Sequence, residues 1–212
     1  MKIYCMPMGP IEANCYVLID ENTKKAAVVD PGDYTTELKG LLNSDEIEAV
    51  DYILLTHGHF DHILGVPRVK ADFPDAKICI HNADTQLLLN DKLSLAYQSG
   101  VQQTYVNCDI TLKDGSIIAL GDTQIKVLHT PGHTKGGVCY ICQEQRVILT
   151  GDTLFCRTVG RTDFPGGDSQ ELLDSIIKLR NLDGDYDILP GHHRATKLSV
   201  ERDHNRYMRK LK

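Results

Sequence analysis

At 212 residues, with 42% hydrophobic and 25% charged side chains, the chain can build one large folded domain or two small ones. A formal net charge of −6 and the lack of a basic run argue against nucleic acid as a partner. No apolar stretch reaches membrane-spanning length, and the first residues lack the apolar core of a signal peptide. Seven cysteines without repeated spacing suit reduced thiols, so the expected location is cytoplasmic.

In chain order, residues 15–19 (CYVLI) and 25–29 (KAAVV) read as strands joined by the turn residues Asp20-Glu21-Asn22-Thr23, a hairpin that Asp30-Pro31-Gly32 stops. A helix is expected over 34–42, a buried strand over 50–55, a short strand over 77–81, and a helix from an Asn82 cap to about residue 90. Four strands follow at 116–120, 124–129, 137–142 and 146–150. Leu172, Ile176 and Leu179 recur at helical spacing, and Leu173 and Ile177 widen the stripe, so 170–180 is an amphipathic helix. A strand at 187–189 and a helix over 200–211 close the chain. Strands and helices alternate without a long polar linker or an internal repeat. This predicts two packed sheets with helices outside, as a single domain over 1–212.

The strand at 50–55 runs into Thr56-His57-Gly58-His59-Phe60-Asp61-His62, three imidazoles and a carboxylate within seven positions. These are donors for zinc, iron and manganese, and their density is too high for core packing or a solvated loop. Three further strand ends carry the same kind of side chain. Thr130-Pro131-Gly132-His133, Thr150-Gly151-Asp152 and Pro190-Gly191-His192 each place a donor within a few residues of a buried strand. Seven donors exceed one tetrahedral ion. They divide as His57, His59 and His133 on one metal and Asp61, His62 and His192 on a second, with Asp152 between them. Two divalent ions sharing a water lower its pKa from about 15.7 toward roughly 7, which makes hydroxide available as a nucleophile. Histidine and carboxylate donors without thiolate suit zinc first, with iron or manganese also allowed.

The pattern His-x-His-x-Asp-His followed by distant His, Asp and His resembles the metallo-β-lactamase fold. The glyoxalase II branch is suggested by Ala13-Asn14-Cys15-Tyr16, Val29-Asp30-Pro31-Gly32, Thr150-Gly151-Asp152-Thr153-Leu154-Phe155 and Gly160-Arg161-Thr162-Asp163-Phe164-Pro165. The resemblance implies an α/β fold, a four-layer αββα sandwich, and hydrolysis by a metal-bound hydroxide. Full-length glyoxalase II carries a C-terminal helical extension with basic contacts to glutathione. Here about 20 residues follow His192, so the chain is similar to the short, stand-alone bacterial forms. Arg161 stands where glyoxalase II has a lysine on the glutathione moiety, which implies a grip on a substrate carboxylate. The alternative for Arg161 is an ion pair with Asp163 that braces the loop.

Other residues divide between structural and functional readings. Asp30 either shapes its turn or orients a ligand imidazole. His193 neighbours His192 as a bystander or pocket residue, and Lys135 is solvated. His81, His129 and His204 lack ligand company. Cys139 and Cys142, three apart on a strand, face opposite ways and make no metal pair, while Cys156 and Tyr16 are packing residues. The activity expected is hydrolysis of a small-molecule thioester, S-lactoylglutathione or a related acyl thioester, with Asp61 orienting the attacking water and accepting its proton. Persulfide dioxygenases are similar in fold and use one iron on positions matching His57, His133 and Asp152. Lactone or ester hydrolysis is the third possibility. Oligomeric state is not legible.

Overall fold

The computed structural model describes residues 1–209. Its first sheet runs β1 (Lys2–Met8), β2 (Ala13–Ile19), β3 (Lys25–Val29), β4 (Ala49–Leu54), β5 (Lys77–His81) and β6 (Ile110–Leu112) in that spatial order. The first three strands form an antiparallel meander, and β3 to β6 are parallel. Parallel neighbours need crossovers. These contain α1 (Thr36–Leu42), α2 (Phe60–Ile63), α3 (Val66–Asp72) and a 3₁₀ segment over Asn82–Leu89.

The second sheet starts with the antiparallel strands β7 (Ile117–Leu120), β8 (Thr123–His129), β9 (Val138–Cys142) and β10 (Val147–Gly151). A two-stranded ribbon, β11 (Leu154–Phe155) and β12 (Thr158–Val159), leads to α4 (Ser169–Arg180). The chain then returns as β13 (Asp187–Pro190), parallel to β10, with β14 (Thr196–Lys197) outside it. The helices α5 (Leu198–His204) and α6 (Arg206–Arg209) follow.

The two-residue period of a strand explains the layers. On β2, Cys15, Val17 and Ile19 join a cluster with Leu38 and Leu42 of α1 and Val66 and Val69 of α3. Tyr16 and Leu18 point the other way, into a cluster with Ile125, Val127 and Tyr140 of the second sheet. On β9, Val138, Tyr140 and Cys142 face the first sheet, while Cys139 and Ile141 meet Ile176 and Leu179 of α4 with Leu198 and Met208. The result is helices, sheet, sheet, helices: the expected four-layer sandwich. Both faces of β2 are covered, so all seven of its residues are buried. Cys139 and Cys142 do face apart, and all seven cysteines are free.

Several expected boundaries shift. The helix expected from 34 starts at Thr36, because Thr35 Oγ1 accepts the Leu38 N–H at 3.2 Å and caps it. The segment after residue 81 is 3₁₀ rather than α, and its cap is His81 rather than Asn82. His81 ends β5 in extended backbone, so its Nδ1 reaches the Ala83 N–H first, at 3.3 Å. The helix expected over 200–211 divides at Asn205, whose extended backbone (φ −75, ψ 122) is fixed by side-chain bonds to Thr158 O and Glu201 Oε2. Residues 210 and 211 of that expectation lie outside the described residues. The strands β1 and β6 were not anticipated. Among the described residues, no helix is long and apolar enough to cross a membrane.

Candidate metal centre

Four strands deliver the candidate donors to one end of the sandwich. The loop after β4 carries His57 and His59, and α2, which is buried throughout, carries Asp61 and His62. His133 follows β8, Asp152 follows β10, and His192 follows β13. The donor atoms of His57, His59 and His133 lie within 4.8 Å of one another, as do those of Asp61, His62 and His192. Within the first trio, His59 Nδ1 and His133 Nε2 approach to 2.9 Å. Within the second, Asp61 Oδ2 lies 3.0 Å from His192 Nε2 and 3.2 Å from His62 Nε2. Asp152 touches both trios: Oδ1 is 3.5 Å from His62 Nε2, and Oδ2 is 3.6 Å from His133 Nε2 and 3.7 Å from His192 Nε2. All seven sequence-derived donors therefore converge.

Outer hydrogen bonds aim the rings. Asp30 accepts the Thr56 N–H at 2.7 Å and the Thr56 hydroxyl at 2.6 Å. With its proton on Asp30, the Thr56 oxygen is an acceptor for His57 Nδ1–H at 3.1 Å. Asp30 Oδ2 also lies 3.1 Å from His62 Nδ1. Both rings thereby have Nδ1 engaged by an outer bond and turn Nε2 to the interior. Asp30 itself lies close enough to His57 and His62 to count as a donor. Its oxygens are already engaged by these bonds, so it serves as the orienting group. His133 Nδ1 donates to the backbone oxygen of Arg161 at 2.7 Å, which leaves its Nε2 free in the same way.

The Pro190-Gly191-His192 turn is held from β2, where Asn14 Nδ2 and the Tyr16 hydroxyl donate to Pro190 O at 2.9 and 2.7 Å. Gly191 is required by close approach. A Cβ there would stand 2.2 Å from Asp152 Oδ1 and 2.9 Å from His62 Cε1.

Burial and charge set the protonation of the donors. Burial pushes His57 well below the ordinary imidazole range, helped by the neighbouring rings of His62, His59 and His133. Burial and His133 take His59 down to about 3. Both rings are neutral near pH 7 and need lose no proton to bind a cation. Burial also opposes a charge on His62, but Asp61, Asp152 and Asp30 outweigh it and raise this ring. Asp61 is held far below the carboxylate range despite its burial, chiefly by His62 and His192.

The donor set fits divalent cations. The buried Nε2 atoms of His57, His59 and His62 and the buried Oδ1 of Asp152 have no hydrogen-bond partner. A buried polar atom left unpaired costs about 1–3 kcal/mol. The unpaired Nε2 atoms of His57 and His62 and Oδ1 of Asp152, with His59 Nδ1 close against His133 Nε2, are what a pair of cations would satisfy.

Two residues escaped the sequence reading. Thr56 relays Asp30 to His57, as above. Asp84, in the 3₁₀ segment, is fully buried and binds both histidine loops. Its Oδ2 accepts the Gly58 N–H at 3.1 Å and the Thr134 hydroxyl at 2.8 Å, and its Oδ1 accepts the Gly136 N–H at 2.6 Å. An acidic residue just inside a predicted helix start reads as a helix-end preference, so nothing in the sequence marked it.

The remaining expectations are resolved one by one. The side chain of Arg161 does not reach a donor. Its Nε and Nη2 donate to Asp163 at 2.7 and 2.6 Å, and only its backbone serves the centre. His193 lines the adjacent cavity but belongs to neither trio. Cys156 is not a core residue as expected; it is half-exposed in the turn between β11 and β12 and accepts from Arg194 Nε at 3.4 Å. His81 and His129 stack on each other, ring centroids 4.0 Å apart, and Lys135 is exposed. A cavity of about 720 Å³ opens beside the two trios, lined by His59, Asp61, His133, Asp152 and His192 together with apolar side chains.

Residues 8–192 match the family model of the metallo-beta-lactamase superfamily. The chain is 33% identical over 215 residues to the hydroxyacylglutathione hydrolase GloC of Haemophilus influenzae, covering 98% of each protein. The crystal structure of the BLEG-1 B3 metallo-beta-lactamase superposes with a TM-score of 0.91 at 34% identity, covering 98% of this chain and 99% of that one. A di-iron-bound structure of TTHA1623 superposes with a TM-score of 0.85 at 30% identity, covering 96% and 99%.

Proposed function

The chain belongs to the metallo-beta-lactamase superfamily, and on that premise we propose that it hydrolyses a thioester using two divalent cations. The observation that carries this reading is the carboxylate of Asp152, 3.5–3.7 Å from His62, His133 and His192 and so common to both trios. The likeness to a hydroxyacylglutathione hydrolase supports the thioester. Zinc is the leading metal on donor chemistry, and the di-iron-bound neighbour supports iron as the second choice.

His57, His59 and His133 would hold one cation and Asp61, His62 and His192 the other, with Asp152 serving both. When bound, such cations supply positive charge for a carbonyl oxygen and a water acidic enough to ionise near neutral pH. Asp61, kept anionic by its histidine neighbours, would orient the attacking water. Asp30 and the Arg161 backbone hold the rings of His62 and His133 in their tautomers while charge develops. A thiolate leaves readily, so little acid assistance is required of the chain. Water adds to the carbonyl carbon, the C–S bond breaks, and a carboxylate, a thiol and one proton result.

The test is metal content per chain measured together with thiol release from S-lactoylglutathione and simpler acyl thioesters. Two ions and turnover are expected. Asp152→Ala should lower turnover by about 100-fold or more and release at least one ion. One iron per chain with oxygen uptake on glutathione persulfide would overturn the hydrolase reading in favour of a dioxygenase. Turnover of a lactone with none of a thioester would replace the substrate class.

A further inference from the structure

The cavity beside the trios has two unlike flanks. On one, Phe60, Leu95 and Phe164 line the space, backed by Ala96, Leu64 and Val101 in one apolar cluster. The ring of Phe164 stands edge-on to His59 with centroids 5.8 Å apart, so this flank begins at the candidate centre itself. Leu95 lies at φ 71, a left-handed conformation that leucine rarely adopts, yet its side chain is only 7% exposed. Such an outlier points to a position with a role at the site. On the other flank, Phe155 and Val159 are mixed with Thr158 and His193.

Among the described lining residues, Arg161 is the one Lys or Arg. Two of its guanidinium nitrogens are committed to Asp163, and its guanidinium carbon sits 3.9 Å from the Phe164 ring centroid. The charge of Arg161 is thus already paired by a tethered carboxylate, which weakens its pull on a substrate carboxylate at the three N–H groups that remain. Beyond the metal donors, the cavity offers an acyl group the apolar Phe60–Leu95–Phe164 surface, the neutral polar side chains of Gln98 and Ser99, and no unpaired Lys or Arg.

We infer that the site selects a thioester with an uncharged, apolar acyl chain, seated on the Phe60–Leu95–Phe164 flank, with the thiol moiety on the mixed flank. This rests on the thioester hydrolysis proposed above and keeps its balance: R–CO–SR′ and water give R–COO⁻, R′–SH and a proton. Burial of a methylene contributes about a three- to fourfold gain in kcat/KM when complete. A hydroxyl or carboxylate on the acyl group forfeits that gain and loses hydration as well.

The experiment uses the metal-loaded full chain and follows free thiol. The substrates are the acetyl, butyryl, hexanoyl and succinyl thioesters of N-acetylcysteamine, an uncharged thiol, with S-lactoylglutathione beside them. The expected result is a rise in kcat/KM of at least about tenfold from acetyl to hexanoyl, with succinyl at or below butyryl. Phe164→Ala should reduce the hexanoyl-to-acetyl ratio at least about threefold, and Leu95→Ala gives the same readout if the first variant does not fold. A flat or falling series, an unchanged ratio in a folded variant, or faster turnover of S-lactoylglutathione than of the hexanoyl ester overturns the acyl assignment and leaves thioester hydrolysis standing. Thiol release from none of them overturns both.

Discussion

Asp84 belongs to neither trio, yet its carboxylate joins residues 26, 50 and 52 positions away and thereby fixes the backbone on either side of His57, His59 and His133. Asp84→Asn keeps the shape but turns one acceptor into a donor facing N–H or O–H groups. At least one buried donor then goes unpaired, with an expected loss of about 1–3 kcal/mol in stability. Metal affinity, measured by competition with a chelator, should fall about 10- to 100-fold. Unaltered affinity in a destabilised protein would show that the carboxylate braces the fold without positioning donors. At this scale the sequence was legible where chemistry is concentrated. Seven donors at strand ends announce themselves by residue type and spacing. Thr56 and Asp84 do not, because their roles come from partners that only the fold brings close. Arg161 was half legible: the loop matters, but through a peptide oxygen, which has no signature in a side-chain reading.

At the scale of elements, α4 holds the His133 turn as well as covering the second sheet. Asp168 Oδ1 caps the helix by accepting from Gln170 and Glu171 N–H at 2.8 and 3.0 Å. The Asp168 N–H and the Ser175 hydroxyl bind Gly132 O and Pro131 O at 2.9 and 2.8 Å. Asp168→Ala should cost about 1 kcal/mol in unfolding free energy and weaken metal binding less than Asp84→Asn does; a stability loss below measurement would contradict the cap. The two sheets are also tied through hairpin turns. Asp20, after β2, accepts the Thr123 hydroxyl of β8 at 2.7 Å and the N–H and hydroxyl of Thr23 at 2.9 and 2.8 Å. Burial works against its charge, but these donors outweigh it and hold the carboxyl at about 2, against an ordinary 3.8. A lowered folded pKa gives stability that is complete above the ordinary value and lost as pH falls toward about 2. The gap in unfolding midpoint between the parent and Asp20→Asn should be present at pH 5 and close as pH approaches 2. The strands of strong β-branched character were legible. β1 was not, since its buried residues are two methionines and a proline interrupts it. Nor was α2, whose four residues sit inside the donor loop and follow an imidazole at the cap position.

For the molecule as a whole, the sandwich and the centre are coupled. Each trio draws on both sheets, so a bound cation is available only to the closed, folded form. At a free concentration about 1,000 times Kd, a ligand of this kind adds about 4 kcal/mol. For 150–250 residues that corresponds to about 2–4 °C per kcal/mol. Removing metal with a chelator should therefore lower Tm by roughly 8–16 °C in calorimetry, and re-addition should restore it. An unchanged Tm would mean that the unpaired nitrogens are satisfied in some other way. The layered architecture was legible because alternating apolar patterns reveal faces. The cavity was not, because its wall combines the irregular 90–109 segment with the Arg161 loop, and neither has a periodicity that says what it encloses.

The donors also have an order along the chain. The trio of His57, His59 and His133 is complete once residue 133 has been made, whereas Asp61 and His62 must wait for His192, 130 positions beyond His62. The residues of the first trio thus precede, in synthesis, the one that completes the second by a long interval. A product cut short by premature termination between residues 153 and 191 would keep every donor except the last. That product would retain all of the first trio and lack the member that completes the second.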